Sequence, residues 1–325
     1  MRVAGEARTQ PIPLGLQPLQ KASRGGGTGH SMKILREAAT ACGLGASWVV
    51  SRLPLPFRHA IADALGRLLY QISRPRRAVA LTNLRLCFSS WSDQEVQAVA
   101  RQHFVDYAHA FFDRFVIWSS SEAQIREWVT LHGLEHWSAL KGRPIIVLAP
   151  HFLGLDAGGI RLQLECRMVS MYSVQSSAFL NRWVLRGRSR FNDPTLLSRQ
   201  DGIGRLLRLM KQDHVAYFLP DMDFGERDSV FAQFFGQPAA TVTSVVRIAQ
   251  ITGASVIPLV TRMTDGGYEA RFYPAWTHQP GEDLQAAVQA MNHFIEARVL
   301  EMPSQYLWTH RRFKTRPRGA APVYG

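Results

Sequence analysis

The sequence predicts an α/β protein in which helices alternate with the strands of a mixed or parallel sheet. Residues 145–149 and 214–219 carry this prediction, because both runs are largely apolar and a proline follows each of them. Strands that are buried on both faces have this composition, since helices cover both sides of a parallel sheet. Between such runs, apolar residues recur at helical spacing. The alternation of helices with buried strands predicts an α/β sandwich.

The other elements follow from apolar spacing and from capping residues. Ser92 and Glu95 have the spacing of a capping box, which predicts a helix that continues to about residue 115. The predicted helices cover residues 57–72, 92–115, 158–165, 178–190, 203–211, 242–251 and 284–301, and a further helix that contains Asn83 and Leu84 is predicted to begin at Arg74. The predicted strands cover residues 145–149, 167–174, 214–219, 254–261 and 268–273. One large domain is expected, because no linker rich in Pro, Gly or Ser divides the chain between Pro54 and Pro303.

The N-terminal part of the chain differs from the rest. Residues 1–31 contain Gly, Pro and Arg without periodicity, which predicts a disordered extension. Residues 32–56 are predicted to be an interfacial or membrane-anchoring segment. Their uncharged apolar stretch, residues 38–50, is shorter than the roughly 20 residues needed to cross a bilayer. An interfacial helix is therefore favoured over a membrane span.

The composition is strongly basic, and it restricts the class of partner. The 38 Lys and Arg residues exceed the 25 Asp and Glu residues, which gives a formal net charge of +13, while 46% of the residues are hydrophobic. Such a chain suits nucleic acid, or an anionic membrane together with acidic proteins. The arginines are dispersed, and no zinc-finger or RNP-type motif occurs, which argues against nucleic acid. Three irregularly spaced cysteines indicate neither a disulfide framework nor a zinc site, and they suit a reducing cytoplasm.

His151 is the strongest candidate for a catalytic residue. It follows the predicted strand 145–149 and Pro150, and polar groups at the carboxyl end of such a strand lie at the mouth of an open α/β sheet. An imidazole removes protons near neutral pH when a carboxylate fixes its tautomer, and Asp156 is the candidate for that carboxylate. The pair either activates a nucleophile of the protein or deprotonates a substrate. The second use is favoured, because the sequence contains no G-x-S-x-G elbow.

Two further segments supply charged candidates for substrate binding. Arg188 and Arg190 end a predicted helix, where they either bind phosphate oxygens bidentately or form a solvated face. Asp221 and Asp223 follow the second buried strand and Pro220, and their alternative role is to satisfy backbone amides in a tight turn. Too few carboxylates converge there for a hard cation, so no metal is expected.

A stripe of four titratable residues marks the helix predicted over residues 92–115. His103, Asp106, His109 and Asp113 recur at spacings of three and four residues, which places them on neighbouring turns of one face. A metal site is one interpretation. The aromatic residues that flank the stripe favour a structural or groove-lining helix instead.

Four separated segments, taken together, carry a resemblance to a known family. They are residues 150–156 (PHFLGLD), 181–191 with the basic run RGRSR, 219–225 (LPDMDFG) continued by 230–236, and 305–314 (QYLWTHRRFK). This set resembles the late acyltransferases of lipid A biosynthesis, of lauroyl or myristoyl type, and its first segment is similar to the H-x-x-x-x-D block of the wider glycerolipid acyltransferases. The resemblance covers roughly residues 32–317. Where the common family form has glutamine in the third segment, this chain has Met222.

The resemblance implies a glycerolipid-acyltransferase-like fold and a specific reaction. A fatty acyl chain would pass from acyl carrier protein to a hydroxyl of a lipid A precursor, an anionic glycolipid, without a cofactor and at the cytoplasmic face of the inner membrane. His151 would be the general base, Asp156 its orienting partner, and Arg188, Arg190, Asp221 and Asp223 would contact substrate. The implied domain covers residues 57–317, with a tail at 318–325.

Three other functions remain open at this stage. The chain is alternatively an acyltransferase for a lysophospholipid or an amino-acid lipid, which the motifs exclude poorly. It is also compatible with a catalytically inert lipid-binding protein of the same fold, although the intact His151 and Asp156 argue against that. A hydrolase is the third alternative, in which water replaces the acceptor.

Overall fold

The computed structural model describes residues 27–175, 177–198, 201–278 and 281–324. The helices are α1 Gly27–Ser51, α2 Leu55–Ile72, α3 Arg74–Cys87, α4 Asp93–Ile117, α5 Glu122–Trp128, α6 Leu134–Ser138, α7 Leu155–Gln163, α8 Ala178–Arg188, α9 Ile203–Met210, α10 Ser244–Thr252 and α11 Leu284–Glu301. The strands are β1 Val129–His132, β2 Ile145–Leu148, β3 Met168–Met171, β4 Thr195–Leu197, β5 Val215–Phe218, β6 Ser229–Phe234, β7 Gln237–Val242, β8 Ser255–Thr264, β9 Gly267–Phe272 and β10 Trp276–Thr277.

The main sheet has eight strands, and its middle is parallel. The strand order is β1-β9-β8-β2-β5-β3-β4, with β10 paired to β8. Strands β8, β2, β5, β3 and β4 run parallel to one another, whereas β9 and β10 pair with β8 in the antiparallel direction. Strands β6 and β7 form a separate antiparallel hairpin. The α/β class with a mixed sheet is therefore confirmed.

The central strand β2 supplies both hydrophobic cores, because successive side chains of a strand point to opposite faces. Ile146 and Leu148 belong to the core on one face, while Ile145 and Val147 belong to the core on the other. All four residues are buried. The continuous apolar run that predicted this strand follows from that burial on both sides.

The predicted helices and strands are confirmed where the apolar pattern is continuous or where a capping box marks the start of a helix. Helix α4 begins after the capping box, in which Ser92 accepts from the Glu95 amide and Glu95 accepts from the Ser92 amide. The hairpin β6–β7 was not predicted, because neither of its six-residue strands shows the regular alternation of polar and apolar residues that indicates a strand.

The N-terminal helices leave a row of large apolar side chains exposed. On α1 these include Ile34, Leu35, Trp48 and Val49, and Phe57 continues the row on α2. Helix α1 begins at Gly27, inside the segment predicted to be a disordered extension, and residues 1–26 lie outside the described residues. Among the helices that the structure describes, none is long and apolar enough to cross a membrane.

Candidate active site

The loops that follow β2 and β5 meet at the carboxyl edge of the sheet. The two strands are parallel neighbours, and the Ala149 amide donates to the Phe218 carbonyl at 2.8 Å, which extends their pairing by one residue. His151 follows β2 and Asp221 follows β5, each just after a proline. Their adjacency therefore results from the pairing of two strands that are far apart in the sequence.

Asp221 holds His151 at two points. Its Oδ1 lies 2.7 Å from His151 Nδ1, and its Oδ2 accepts from the His151 backbone amide at 2.8 Å. The Asp221 side chain is only 1% exposed, so water screens this pair weakly. The contact fixes the proton of a neutral His151 ring on Nδ1 and leaves Nε2 as the basic nitrogen. Asp221 thus makes the contact with the His151 ring that was predicted for Asp156.

The prediction that Asp156 orients His151 is wrong in this structure. Asp156 lies in the first turn of α7, and its two carboxylate oxygens accept from Arg188 Nε at 2.8 Å and from Arg114 Nε at 2.7 Å. The helix begins between the two residues, at Leu155, so Asp156 faces α4 and α8 while His151 faces the loop after β5. The four-residue spacing alone did not contain this information.

The electrostatics of the two aspartates agree with their partners. Burial acts to raise the pKa of Asp221, but the charge of His151 and the two hydrogen bonds outweigh it and lower that pKa. Burial also acts against the ionised form of Asp156, whereas Arg188 and Arg114 lower its pKa to about 2. Both carboxylates are therefore ionised at neutral pH.

The C-terminal segment contacts the loop that carries His151. The Leu307 amide donates to the His151 carbonyl at 3.0 Å, and the Leu153 amide donates to the Gln305 carbonyl at 2.8 Å. Tyr306 packs its ring against Phe152, and burial together with the charge of the nearby Asp221 raises the pKa of its hydroxyl. The fourth sequence motif thus lies directly against the first. No role for Tyr306 was predicted, because nothing in its spacing relates it to Asp221.

Asp223 has a structural role that differs from the predicted contact with substrate. Its carboxylate accepts from the Thr315 amide at 2.6 Å, from the Thr315 hydroxyl at 2.7 Å and from the Gly225 amide at 2.9 Å. Its own amide donates to His310 Nε2 at 2.9 Å. Burial, together with the charge of His151, lowers the pKa of His310 to about 4, so this ring is neutral and able to accept. Asp223 therefore fastens the C-terminal segment to the loop after β5.

Arg190 is likewise engaged away from the site. It lies beyond the end of α8, and its guanidinium donates to the carbonyls of Trp118 and Ser120. These carbonyls follow the C-terminus of α4, where a helix leaves its last acceptors without partners inside the helix. Arg190 thus satisfies a helix end, and the prediction that it contacts substrate is not supported by its geometry.

An apolar cavity of about 450 Å³ opens beside His151. Asp156 and Arg188 line it together with the histidine, and most of the remaining wall is hydrophobic. That wall includes Leu155, Ile160, Met168, Met171, Leu196, Phe218, Leu219, Met222, Phe224 and Val242. Met222 is therefore part of the hydrophobic lining.

Helix α7 lies close against the sheet at the cavity. A Cβ atom on Gly158 would come within 2.0 Å of Thr261 Oγ1, and one on Gly154 would come within 3.0 Å of Thr261 Cγ2. At Gly158 an added Cβ would force Thr261 to shift, whereas at Gly154 it would make a tight contact. The Gly-rich sequence after His151 is consequently a packing requirement that brings Asp156 close to the edge of the sheet.

The stripe on α4 is largely engaged within the protein. His103 is fully buried and its Nδ1 lies 2.9 Å from the Ser304 carbonyl, while Asp113 accepts from the Tyr268 hydroxyl at 2.7 Å. Asp106, His109 and Asp113 line a second, polar cavity of about 340 Å³. Within the described residues, no group of three or more His, Cys, Asp or Glu side chains is placed to hold a metal ion.

The fold and the site together indicate a class of protein. A tautomer-fixed histidine suits the deprotonation of a hydroxyl, and an adjoining hydrophobic cavity suits a long apolar group. An α/β acyltransferase combines these two requirements.

The family follows from the comparisons with known proteins. Residues 27–315 match the model of the bacterial lipid A biosynthesis acyltransferases. The chain is 30% identical to the lipid A biosynthesis lauroyltransferase of Escherichia coli, over 88% of this chain and 94% of that protein. It is 29% identical to the palmitoleoyltransferase of the same organism, over 87% and 93%, and 27% identical to its myristoyltransferase, over 87% and 88%. The chain belongs to this family and is an acyltransferase, and the resemblance read from its motifs is confirmed.

Proposed function

We propose that the protein transfers a fatty acyl chain from acyl carrier protein to a hydroxyl group of a lipid A precursor, with His151 as the general base. The observation that carries the proposal is the hydrogen bond between His151 Nδ1 and Asp221 at 2.7 Å, beside the apolar cavity. The relatives, which are lipid A acyltransferases by name, support the acceptor.

The proposed reaction uses the free nitrogen of His151. Nε2 removes the proton from the acceptor hydroxyl, and the oxygen attacks the thioester carbonyl of the donor. The tetrahedral intermediate then collapses, the C–S bond breaks, and the departing thiolate takes the proton from the imidazolium. Asp221 stabilises the imidazolium while it exists. No covalent acyl-enzyme forms in this scheme, and the thiol of the carrier is the second product.

Arg188 is the candidate for stabilising the oxyanion. It lines the cavity with His151, its side chain remains 36% exposed, and its Nε is held by Asp156. Asp156 and Arg114 thereby fix the direction of the Arg188 fork before substrate binds, and a preorganised donor favours the charge that develops in the transition state. The proposed role of Asp156 is to position an arginine, and not to orient the histidine.

The cavity supports a fatty chain as the transferred group. Its volume of about 450 Å³ lies within the range of roughly 300–1,000 Å³ that is usual for small-molecule sites. A saturated chain gains affinity from burial in such a lining, since each methylene contributes about 0.8 kcal/mol. The methionines Met168, Met171 and Met222 adapt to an irregular chain because their side chains are unbranched and flexible.

The charge of the protein and its exposed apolar helices support the proposed donor and the proposed place of action. A net charge of +13 attracts an acidic carrier protein and an anionic lipid surface. The exposed Ile34, Leu35, Trp48 and Val49 of α1 suit a helix that lies in the membrane interface. We therefore propose that the protein acts at the cytoplasmic face of the inner membrane, where it would bring acyl carrier protein and the glycolipid together.

The test compares His151→Gln with a control histidine variant. Purified protein is supplied with radiolabelled dodecanoyl acyl carrier protein and a lipid A precursor in detergent micelles, and the labelled lipid is measured. His151→Gln is expected to lower the rate by about 10²–10⁴-fold. The control is His214→Gln, because His214 is half-buried just before β5, does not line the cavity, and its Nδ1 bonds only locally, to the Gln212 carbonyl.

Three outcomes contradict the proposal. Undiminished transfer by folded His151→Gln removes the mechanism. Release of free dodecanoate in place of labelled lipid indicates a hydrolase. Transfer to a lysophospholipid or an amino-acid lipid, but not to the lipid A precursor, replaces the acceptor.

A further inference from the structure

Helix α1 carries a single carboxylate, and that carboxylate reaches a helix of the active site. Glu37 Oε2 accepts from the Ser177 hydroxyl at 2.8 Å and from the Phe179 amide at 3.2 Å, and its Oε1 lies 3.3 Å from the Ala178 amide. These groups form the N-terminus of α8. In the sequence of α1, Glu37 is the sole acidic residue in an otherwise apolar, small-residue or basic helix.

The N-terminus of α8 is therefore capped from two segments. Ser177, which is the N-cap residue, accepts from the Leu180 amide at 3.2 Å, while Glu37 takes the two preceding amides. A helix has no internal acceptors for its first amides, and its dipole favours a negative charge at this end. The same hydrogen bonds lower the pKa of Glu37, so the cap is an ionised carboxylate at neutral pH.

Helix α8 links this cap to the proposed oxyanion donor. At its C-terminal end Arg188 binds Asp156, and Gln163 of α7 donates to the Arg188 carbonyl at 2.7 Å. Gly187 lies so close to α4 that an added Cβ would approach Trp118 to 2.1 Å. The C-terminal end is thus packed tightly, whereas the N-terminal end depends on Ser177 and Glu37.

The N-terminal end of α8 also adjoins the wall of the apolar cavity. Tyr172, Ser173 and Gln175, between β3 and α8, line that cavity. The Gln175 amide donates to Asn181 Oδ1 of α8 at 3.0 Å, which ties the wall to the helix. Any displacement of the N-terminus of α8 therefore moves this part of the lining.

We propose that Glu37 is a positioning residue that couples the seating of α1 on a membrane to the shape of the acyl cavity, through the N-terminus of α8. This inference rests on the proposed function, because it requires that α1 lies on a lipid surface and that the cavity holds the acyl chain. On the membrane, α1 is fixed and its carboxylate holds α8 in register. Away from the membrane α1 is anchored less firmly, since Ile34 and Leu35 lose their apolar surroundings.

The experiment uses the full chain and measures kcat and KM separately for dodecanoyl, tetradecanoyl and hexadecanoyl acyl carrier protein. Each assay is run in detergent micelles and in vesicles of phosphatidylethanolamine and phosphatidylglycerol that contain the acceptor. In vesicles, Glu37→Gln is expected to raise the KM for the preferred donor about fivefold, with kcat unchanged within about twofold. The wild-type KM is expected to be lower in vesicles than in micelles, and the variant is expected to lose this difference.

The matched control is Asp283→Asn. Asp283 caps α11 through the Gln285 amide at 2.9 Å, so this variant neutralises a capping carboxylate away from the cavity. Ser177→Ala and the double variant complete a double-mutant cycle. The effects of the two substitutions on KM are expected to be non-additive, because the two residues share one cap. Glu37→Asp, which keeps the charge but shortens its reach, is expected to give an intermediate KM and provides the test if Glu37→Gln does not fold.

Several results overturn the inference. If the KM of Glu37→Gln differs between vesicles and micelles as much as the wild-type KM does, the coupling is refuted. The coupling is also refuted if the KM of Glu37→Gln in vesicles matches that of Asp283→Asn. Additive effects in the mutant cycle refute the shared cap. If the wild-type protein transfers no acyl chain from acyl carrier protein, the proposed function fails instead. Equal sedimentation of wild-type and Glu37→Gln protein with vesicles is expected, and loss of binding by the variant would make Glu37 a membrane contact and not a positioning residue.

Discussion

Replacing Asp221 with asparagine tests the central geometry of the site. The substituted side chain keeps the size of the carboxylate, but its amide group donates a hydrogen bond towards His151 Nδ1, which favours the tautomer with its proton on Nε2. That tautomer has no free nitrogen to remove a proton from the acceptor. The substitution also removes the negative charge that stabilises the imidazolium, at a position where Asp221 is 1% exposed.

The size of the effect follows from the contact. A hydrogen bond to a charged group contributes about 1.5–3 kcal/mol, which corresponds to a change in rate of roughly ten- to 150-fold. The wrong tautomer adds to this loss, because it removes general-base catalysis, whose contribution is about 10²–10⁴-fold. Asp221→Asn is therefore expected to lower kcat/KM by at least about a hundredfold, while the melting temperature shows that the protein remains folded.

Two measurements distinguish this reasoning from the interpretation based on the H-x-x-x-x-D spacing. The rate of acyl transfer gives kcat/KM, and ¹⁵N NMR of histidine-labelled protein reports the tautomer of His151. Asp221→Asn is expected to change the tautomer, whereas Asp156→Asn is expected to lower kcat/KM through Arg188 and to leave the tautomer intact. Asp213→Asn is the control, since Asp213 is exposed and has a positive φ of 59° that asparagine tolerates. An unchanged tautomer and a kcat/KM within about twofold of wild type in Asp221→Asn would refute the assignment.

Three further predictions concern Arg188, Gly158 and His103. Arg188→Lys is expected to lower kcat/KM about ten- to a hundredfold while the protein stays folded. The reason is that an ammonium group cannot bond Asp156 and also present a planar fork to the oxyanion. An unchanged kcat/KM would make Arg188 purely structural. Gly158→Ala is expected to destabilise the protein by about 1–3 kcal/mol in urea unfolding, and adding Thr261→Ala should recover part of that loss. Burial lowers the pKa of His103 to about 4 from an ordinary 6.5. Between pH 4 and pH 6.5 the unfolded chain therefore binds one more proton than the folded protein. The free energy of unfolding consequently falls as the pH drops through this range. His103→Asn, which keeps a donor, should remove up to roughly 3 kcal/mol of that dependence between pH 7 and pH 4, and an identical pH profile would contradict the assignment.

Strands β2, β3, β5, β8 and β9 were readable from the sequence because local apolar patterns determine them, whereas β1, β4, β6, β7 and β10 were not predicted. The run at residues 145–149 is apolar at every position, and β2 has to be so because its side chains enter two cores. The capping box at Ser92 predicted the start of α4 for an equally local reason, since both of its hydrogen bonds join residues three apart. The position of His151 followed from the strand that precedes it.

The partners of the charged residues were not readable in the same way. Asp221 is 70 residues from His151, and Arg114 is 42 residues from Asp156, so no spacing rule connects them. The prediction paired His151 with the nearest suitable carboxylate in sequence. It failed because a helix begins between the two residues and turns Asp156 towards other helices.

The sequence by itself determined the class of fold and the family, and it singled out His151 as the candidate base. These results depend on apolar periodicity and on motifs within single segments. Only the tertiary structure decided which carboxylate holds that histidine, which arginines hold the other carboxylate, and that Glu37 of the N-terminal helix caps α8. The physical reason is that hydrogen bonds and ion pairs act over a few ångströms in space. Strand pairing and helix packing set those distances, and the separation of residues along the chain does not.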